Sequence, residues 1–215
     1  MISSKKYVSA CFPNRPDFLR LVAATAATTV LVAGCAAPRS AMLPEIDSWN
    51  ARTQVLAELD DWEFNGRIAV KTDTDGFNGK LRWAQRGDNF TATVSGPLGI
   101  GTVRLEGDDR SVVMTDKDGV RTELEDAELE LHYRYGWTIP VASLRYWALG
   151  IPDPATPAET VFNDHGQLDT LAQRNWSVTI SSYGDGGGQL MPKLLTAENP
   201  DTRVKLVIDH WIFLD

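Results

Sequence analysis

Side chains that commonly catalyse reactions or bind metal ions are sparse and scattered in this sequence. The three histidines, His132, His165 and His210, lie far apart, and the sequence contains neither an HExxH nor a CxxC motif. Nucleophilic catalysis needs a serine or cysteine within reach of a base, and no GxSxG motif occurs. The residue types therefore predict no catalytic site, no metal site and no cofactor, and we expect that the protein is not an enzyme.

Three short segments come close to ligand-binding loops without completing them. The segment 66–72, GRIAVKT, has Val70 where a phosphate-binding loop has its second glycine, and its alternation predicts a strand instead. The segment 73–76, DTDG, lacks the rest of a calcium-binding loop and is typical of a hairpin turn. The segment 184–188, GDGGG, precedes no amphipathic helix, so we expect a flexible connection there.

Cys35 ends a segment that is typical of bacterial lipoprotein precursors. Residues 1–34 carry a net charge of +3 and an uncharged apolar run at 21–32, which predict a secretory signal peptide. Twelve residues are too few to cross a bilayer, which takes about 20 in a helix. The ending Val32-Ala-Gly-Cys35 resembles the lipobox, which is cleaved before a cysteine that carries acyl chains. The alternative is an ordinary signal peptide in which Cys35 is incidental.

The lipobox divides the chain into three parts. Residues 1–34 are expected to be removed as a signal peptide, residues 35–48 to hold the lipidated Cys35 and a flexible tether, and residues 49–215 to form one domain. In sorted lipoproteins an aspartate after the lipidated cysteine implies retention at the inner membrane, so Ala36 points to the outer membrane. The second cysteine, Cys11, lies within the signal peptide, so packing alone must stabilise the domain.

The net charge limits the classes of partner. The whole chain carries −8, and the 181 residues after position 34 carry −11. An acidic surface argues against a nucleic-acid partner, which requires a basic face, and against electrostatic docking onto anionic lipids.

Apolar alternation dominates the sequence after residue 60. From Trp62 to Lys71 the even positions are apolar or glycine, which predicts a strand with one solvent-exposed face. Later runs with the same period, separated by Gly-Asp and Gly-Pro turns, predict an antiparallel meander. The later strands are expected at 168–173, 176–183, 194–197 and 203–213, and helices at about 48–59, 126–133 and 140–150. We therefore predict an α+β fold: a single, strongly curved antiparallel sheet of about ten or eleven strands with short helices on its apolar face.

Such a wide sheet must either close on itself or be covered. A tightly filled core is the commoner outcome for a soluble domain, and a half-closed barrel with an apolar cavity under a helical lid is the other. Composition does not distinguish them. A related choice concerns the loop 95–101, SGPLGIG, in which Leu98 either packs back on the sheet or protrudes.

A set of short motifs runs in a fixed order from about Trp49 to the C-terminus. They are GRIAV at 66–70, WAQ at 83–85, GPLG at 96–99, IPV at 139–141 with Leu144, WALGIP at 147–152, NWSV at 175–178, MP at 191–192 and KLVI at 205–208 with Trp211. Behind a lipobox, this set resembles the LolB family of outer-membrane lipoprotein receptors. The resemblance implies an incomplete β-barrel with a short α-helical lid over a hydrophobic cavity, and makes residues 49–215 a LolB-like lipoprotein-binding domain.

The resemblance also implies a function. A protein of that family is anchored in the outer membrane, accepts acylated lipoproteins from a periplasmic, LolA-like carrier, and inserts them into the membrane without nucleotide. The family's membrane-insertion leucine falls on Leu98, with Pro97, Gly99 and Ile100 in the same loop. The expected partners are therefore that carrier, the lipoprotein cargo and outer-membrane lipid, and the protein is expected to be a monomer.

Large apolar side chains are the candidates for the cavity lining. They are Trp62, Trp83, Met114 and Trp147, although packing in a filled core explains them equally well. Two rival functions stay open: a lipid-binding lipoprotein that carries glycolipid or phospholipid, and a structural outer-membrane lipoprotein.

Overall fold

A computed structural model describes residues 40–96, 101–108, 110–136 and 138–214. The predicted signal peptide (1–34) and the lipid-attachment residue Cys35 lie outside these ranges. The predicted insertion-loop residues, Pro97, Leu98, Gly99 and Ile100, also lie outside them.

The described residues form three helices and eleven strands. The helices are α1 (Trp49–Ala57), α2 (Ala127–Tyr135) and α3 (Val141–Leu149). The strands are β1 (Asp61–Thr72), β2 (Gly76–Arg86), β3 (Asn89–Ser95), β4 (Val103–Gly107), β5 (Val112–Thr115), β6 (Arg121–Leu124), β7 (Glu159–Phe162), β8 (Leu168–Gln173), β9 (Trp176–Gly186), β10 (Gln189–Glu198) and β11 (Thr202–Phe213). None of the helices in these ranges is long and apolar enough to span a membrane.

All eleven strands belong to one antiparallel sheet, in the order β6-β5-β4-β3-β2-β1-β11-β10-β9-β8-β7. The first and last strands pair along their whole length at its centre, from Trp62 opposite Phe213 to Thr72 opposite Thr202. The two edge strands, β6 and β7, are joined through α2 and α3, which lie on the apolar face. The predicted α+β class, with a curved sheet and a helical lid, is confirmed.

Period-two alternation explains which face of the sheet is buried. In β1, Trp62, Phe64, Ile68 and Val70 are buried, while Arg67 and Lys71 are exposed. A bulge between Asn65 and Gly66 interrupts the pairing with β11. A side chain at position 66 would overlap the backbone carbonyl of Val207, so only glycine fits this close approach.

Residues 40–44 differ from the expected flexible tether, because they pack against the end of the sheet. The Ala41 amide donates to the Phe213 carbonyl at 2.7 Å, and the Leu43 amide donates to the Gly187 carbonyl at 2.8 Å. The Leu43 side chain is buried in the main core. Buried apolar contacts and paired backbone groups fix this segment where composition alone suggested a loose chain.

The glycine-rich run 184–188 forms a tight hairpin, which corrects the expected flexible connection. Residues 184–186 extend β9, and Gly187 and Gly188 make a two-residue turn with φ of 60° and 77°. Those angles suit glycine in the turn type that matches the twist of paired strands. The next strand, β10, begins at Gln189 rather than 194 and accommodates Pro192 at an irregularity of the pairing.

Candidate functional site

An apolar cavity of about 220 Å³ lies between the sheet and the two lid helices. The sheet contributes most of its wall, and α2, α3 and the segment between them cover it. The lining residues are Ile68, Phe77, Asn78, Leu81, Trp83, Ala92, Val94, Gly96, Gly101, Val103, Leu105, Met114, Leu131, Ile139, Val141 and Leu144. Among the described lining residues, Asn78 alone has a polar amide side chain, so this part of the cavity suits an apolar ligand.

Strand register builds the wall from two rows of side chains. In one row Trp83 lies opposite Ala92, Ala92 opposite Leu105, and Leu105 opposite Met114. The second row runs beside it through Leu81, Val94 and Val103. Alternate residues of a strand share a face, so β2, β3 and β4 present both rows to the same space and β5 adds Met114 to the first row.

Stacked aromatic rings close one end of the cavity. The Trp83 ring lies 5.0 Å from Phe90 and 6.3 Å from both Phe64 and Trp62, measured between ring centroids. The cluster also includes Trp211, whose ring centroid lies 5.8 Å from that of Trp62. These rings fill the buried side of the sheet at this end. Trp83 is the ring of this cluster that borders the open volume.

The four candidate lining residues therefore fall into two groups. Trp83 and Met114 line the cavity, whereas Trp62 and Trp147 do not. Trp62 is fully buried in the aromatic cluster. Trp147 is fully buried on the inner face of α3, and its ring centroid lies 6.0 Å from that of Trp176.

Several lining residues were not among the sequence candidates. Leu81, Val94, Val103 and Leu105 share the alternation phase of Trp83 and Met114, so strand phase was the signal that identifies them. Leu131 and Ile139 come from the lid, and only tertiary packing places them in the wall.

A buried polar network holds α3 in place. The Ser143 hydroxyl donates to the Asp153 carboxylate at 2.7 Å, and the Trp147 indole N–H donates to Oε1 of Gln173 at 2.9 Å. The Gln173 amide nitrogen in turn donates to the carbonyls of Asp153 and Thr156. Buried polar groups are costly unless paired, so this set of bonds fixes α3 against the β8–β9 hairpin.

The described polar contacts of the other lid helix, α2, are more exposed than those of α3. Arg174 Nη2 lies 3.2 Å from the Glu128 carboxylate, and His132 Nδ1 lies 3.2 Å from the Thr138 hydroxyl. Two of its apolar side chains, Leu129 and Tyr133, are exposed. Of the two lid helices, α2 is therefore the more weakly attached.

The ionisable groups with shifted pKa values lie outside the cavity lining. Burial would raise the pKa of Glu63, but hydrogen bonds from Arg82 and Arg86 outweigh it and lower that pKa. Burial raises the pKa of Tyr183 to about 12, and its hydroxyl donates to the Leu168 carbonyl. Burial lowers the pKa of Arg52, which donates to the carbonyls of Leu149 and Leu190.

The described residues contain no cluster of His, Cys, Asp and Glu that suits a metal ion. Gly96 and Gly101, which flank the predicted insertion-loop residues 97–100 in sequence, both line the cavity. At the base of this loop the hydroxyls of Ser95 and Thr102 lie 3.1 Å apart.

Comparisons with known proteins identify the family. The family model described as outer membrane lipoprotein LolB matches residues 60–211. Two relatives named outer-membrane lipoprotein LolB are 38% identical over 132 residues (Nitrosococcus oceani) and 33% identical over 130 residues (Pseudomonas fluorescens). Each match covers 60% of this chain, and it covers 65% and 63% of the two relatives, respectively. The matched part thus spans less than two thirds of their length.

A solved structure supports the fold independently of sequence. A LolA superfamily protein from Nitrosomonas europaea aligns with a TM-score of 0.53 over 79% of this chain and 95% of that chain, at 8% identity. At that identity the likeness shows the fold alone. Together, the cavity-bearing open sheet and the match over residues 60–211 lead to one conclusion: this chain belongs to the LolB family of outer-membrane lipoproteins.

Proposed function

We propose that this protein is an outer-membrane receptor that accepts acylated lipoproteins from a periplasmic, LolA-like carrier and inserts them into the outer membrane. The observation that carries the proposal is the apolar cavity beneath α2 and α3 in a chain of the LolB family. In this proposal the protein acts as a monomer and as a receptor rather than an enzyme.

The cavity volume sets a requirement on how cargo enters. A cavity of about 150 Å³ holds one benzene molecule, so 220 Å³ has room for part of one acyl chain. The three chains of a mature lipoprotein need more space, so the lid must move away from the sheet during acceptance. We place that movement in α2, because its attachment through Glu128 and His132 is exposed while α3 is fixed by buried bonds.

Burial of methylene groups provides the driving force in this proposal. Each buried methylene contributes about 0.8 kcal/mol, so small differences in fit between the carrier and this cavity accumulate over three chains. Transfer then proceeds from the weaker to the stronger site without nucleotide.

Two steps of the proposed function, membrane anchoring and cargo insertion, depend on residues outside the described ranges: Cys35 and the loop 97–100. Cleavage before Cys35 and acylation of that residue would hold residues 49–215, the lipoprotein-binding domain, at the periplasmic face of the outer membrane. More than one acyl chain is needed for stable anchoring. Leu98, with Pro97, Gly99 and Ile100, would contact the bilayer when cargo leaves.

The test is a transfer reaction on vesicles. Full-length lipidated protein in vesicles is mixed with a purified carrier–lipoprotein complex, without nucleotide, and the location of the lipoprotein is followed by flotation. Movement of cargo to the vesicles supports the proposal. Retention of cargo on a carrier that releases it to another LolB-family protein would contradict it, and mass spectrometry of co-purified lipid would then test the phospholipid or glycolipid alternative.

Substitution of the loop leucine separates acceptance from insertion. Leu98→Glu is expected to leave cargo acceptance intact and to impair transfer into the bilayer, because a carboxylate does not enter lipid. Leu98→Met, which keeps an apolar side chain, is the matched control. Normal insertion by Leu98→Glu would refute the role given to Leu98.

A further inference from the structure

Residues 40–44 attach the start of the domain to one particular end of the sheet. The Phe213 amide donates to the Ser40 hydroxyl at 3.0 Å, and Ala41 and Leu43 donate backbone bonds to Phe213 and Gly187. The Gln189 side chain also donates to the Pro44 carbonyl at 3.0 Å. This segment is thus held between the end of β11 and the β9–β10 hairpin.

Chain length ties that end of the sheet to the membrane. Five residue steps separate Cys35 from Ser40, and an extended chain advances at most about 3.6 Å per residue. The Cα atom of Cys35 therefore lies no more than about 18 Å from that of Ser40. If Cys35 carries lipid, as in the proposed function on which this inference rests, the bilayer surface lies close to the β9–β10 hairpin.

Two large apolar side chains are exposed on this hairpin or against it. Met42 is 75% exposed and lies against the turn at Gly188, and Leu190, two residues after that turn, is 53% exposed. The turn itself consists of Gly187 and Gly188, which have no side chains to keep a surface at a distance. We call Met42 and Leu190 the anchor-side patch.

We propose that the anchor-side patch rests on the membrane that holds the lipid of Cys35, with Met42 and Leu190 in contact with neutral lipid. Exposed apolar side chains gain free energy on entering the lipid interface. Neutral lipid fits better than anionic lipid, because Glu45 and Asp185, the cross-strand partner of Leu190, are exposed acids.

The test measures lipid contact at single positions of the full-length, lipidated protein. Met42→Cys and Leu190→Cys are made separately, with Val120→Cys as the matched control. Val120 is 57% exposed and lies in the β5–β6 turn. This turn lies at the same end of the sheet as the β1–β2 turn, which is the end opposite to the β9–β10 hairpin. Each thiol is labelled with an environment-sensitive fluorophore in phosphatidylcholine–phosphatidylethanolamine vesicles, some of which contain lipids with a nitroxide on the acyl chain.

We expect several-fold stronger nitroxide quenching at positions 42 and 190 than at position 120. Equal quenching at all three positions, or stronger quenching at position 120, would overturn the inference. Flotation and cargo transfer are measured on the same vesicles. Failure of the protein to float would overturn the anchor on which the inference rests, whereas normal transfer without quenching at positions 42 and 190 would overturn the patch and leave the receptor function intact.

Discussion

Arg174, in the tight turn between β8 and β9, forms an ion pair with Glu128 in the first turn of α2, with 3.2 Å between Nη2 and Oε2. The same guanidinium donates through Nη1 to the Ser143 hydroxyl of α3 at 3.0 Å. One side chain therefore connects both lid helices to the sheet. Its bond to Ser143 joins the buried network, whereas its bond to Glu128 is partly exposed and so is the easier to break.

Removal of the Glu128 charge is expected to loosen the lid. Exposed ion pairs contribute about 0.2–1 kcal/mol, so Glu128→Gln should speed entry of an apolar fluorescent probe by up to about fivefold, measured by stopped flow. Glu125→Gln, which changes a nearby exposed acid, is the control. Equal entry rates for wild type and Glu128→Gln would show that the ion pair does not limit opening.

Filling the cavity is expected to abolish probe binding. Ala92 lies between Trp83 and Leu105 in the wall, so Ala92→Phe places a ring in the open volume. Overpacking costs about 1–3 kcal/mol in a filled core, and the cavity should reduce that cost. We expect at least a tenfold loss of probe affinity, about 1.4 kcal/mol, in equilibrium titrations. The control is Ala84→Phe in β2, which places the ring on the face of the sheet away from the cavity and should bind the probe normally.

The buried amide of Gln173 is expected to be important for stability. Gln173→Leu would leave the Trp147 indole and the Asp153 amide without their acceptor. Each unsatisfied buried group costs about 1–3 kcal/mol, so the loss of both acceptor contacts should lower the free energy of unfolding by about 2–6 kcal/mol in urea titrations. Gln54→Leu, at an exposed position of α1, should change it little. A small effect at position 173 would show that water replaces the lost bonds.

The ion pairs of Glu63 predict a pH dependence of stability. Its pKa is lower in the folded state than in the unfolded state, where it is about 4.3. Its contribution is therefore fully present above that value and is lost as the pH falls through the folded-state pKa. The stability difference between wild type and Glu63→Gln should narrow in urea titrations as the pH falls below about 4.3. The double variant Arg82→Gln/Arg86→Gln should reverse the direction of this pH dependence, since burial then raises the pKa of Glu63.

Local sequence patterns predicted most of the sheet but not its edges. The period-two pattern of Trp62 to Lys71 identified the central strand, because that strand has one buried face and one solvent-exposed face. The edge strands β6 and β7, RTEL and ETVF, are four residues each and show little alternation. Their pairing depends on neighbouring strands, which a local pattern does not contain.

The candidate site was only partly predictable for a related reason. Trp62 and Trp83 share one face of the sheet, so sequence phase treats them alike. Of the two, only Trp83 lines the cavity, because aromatic rings fill the space around Trp62 whereas the lid leaves open space beside Trp83. Whether the core is filled depends on where α2 and α3 pack, and alternation in the strands carries no information on that.

The central pairing of β1 with β11 has a consequence for how the protein folds. Strands β1 to β6 form one continuous meander and β7 to β10 another, and β11 joins them by pairing with both β1 and β10. Contacts between residues so distant in sequence slow folding, because a long loop must close before they form. The two halves therefore cannot assemble into one sheet until β11 has been synthesised, and loss of residues 202–213 would separate them.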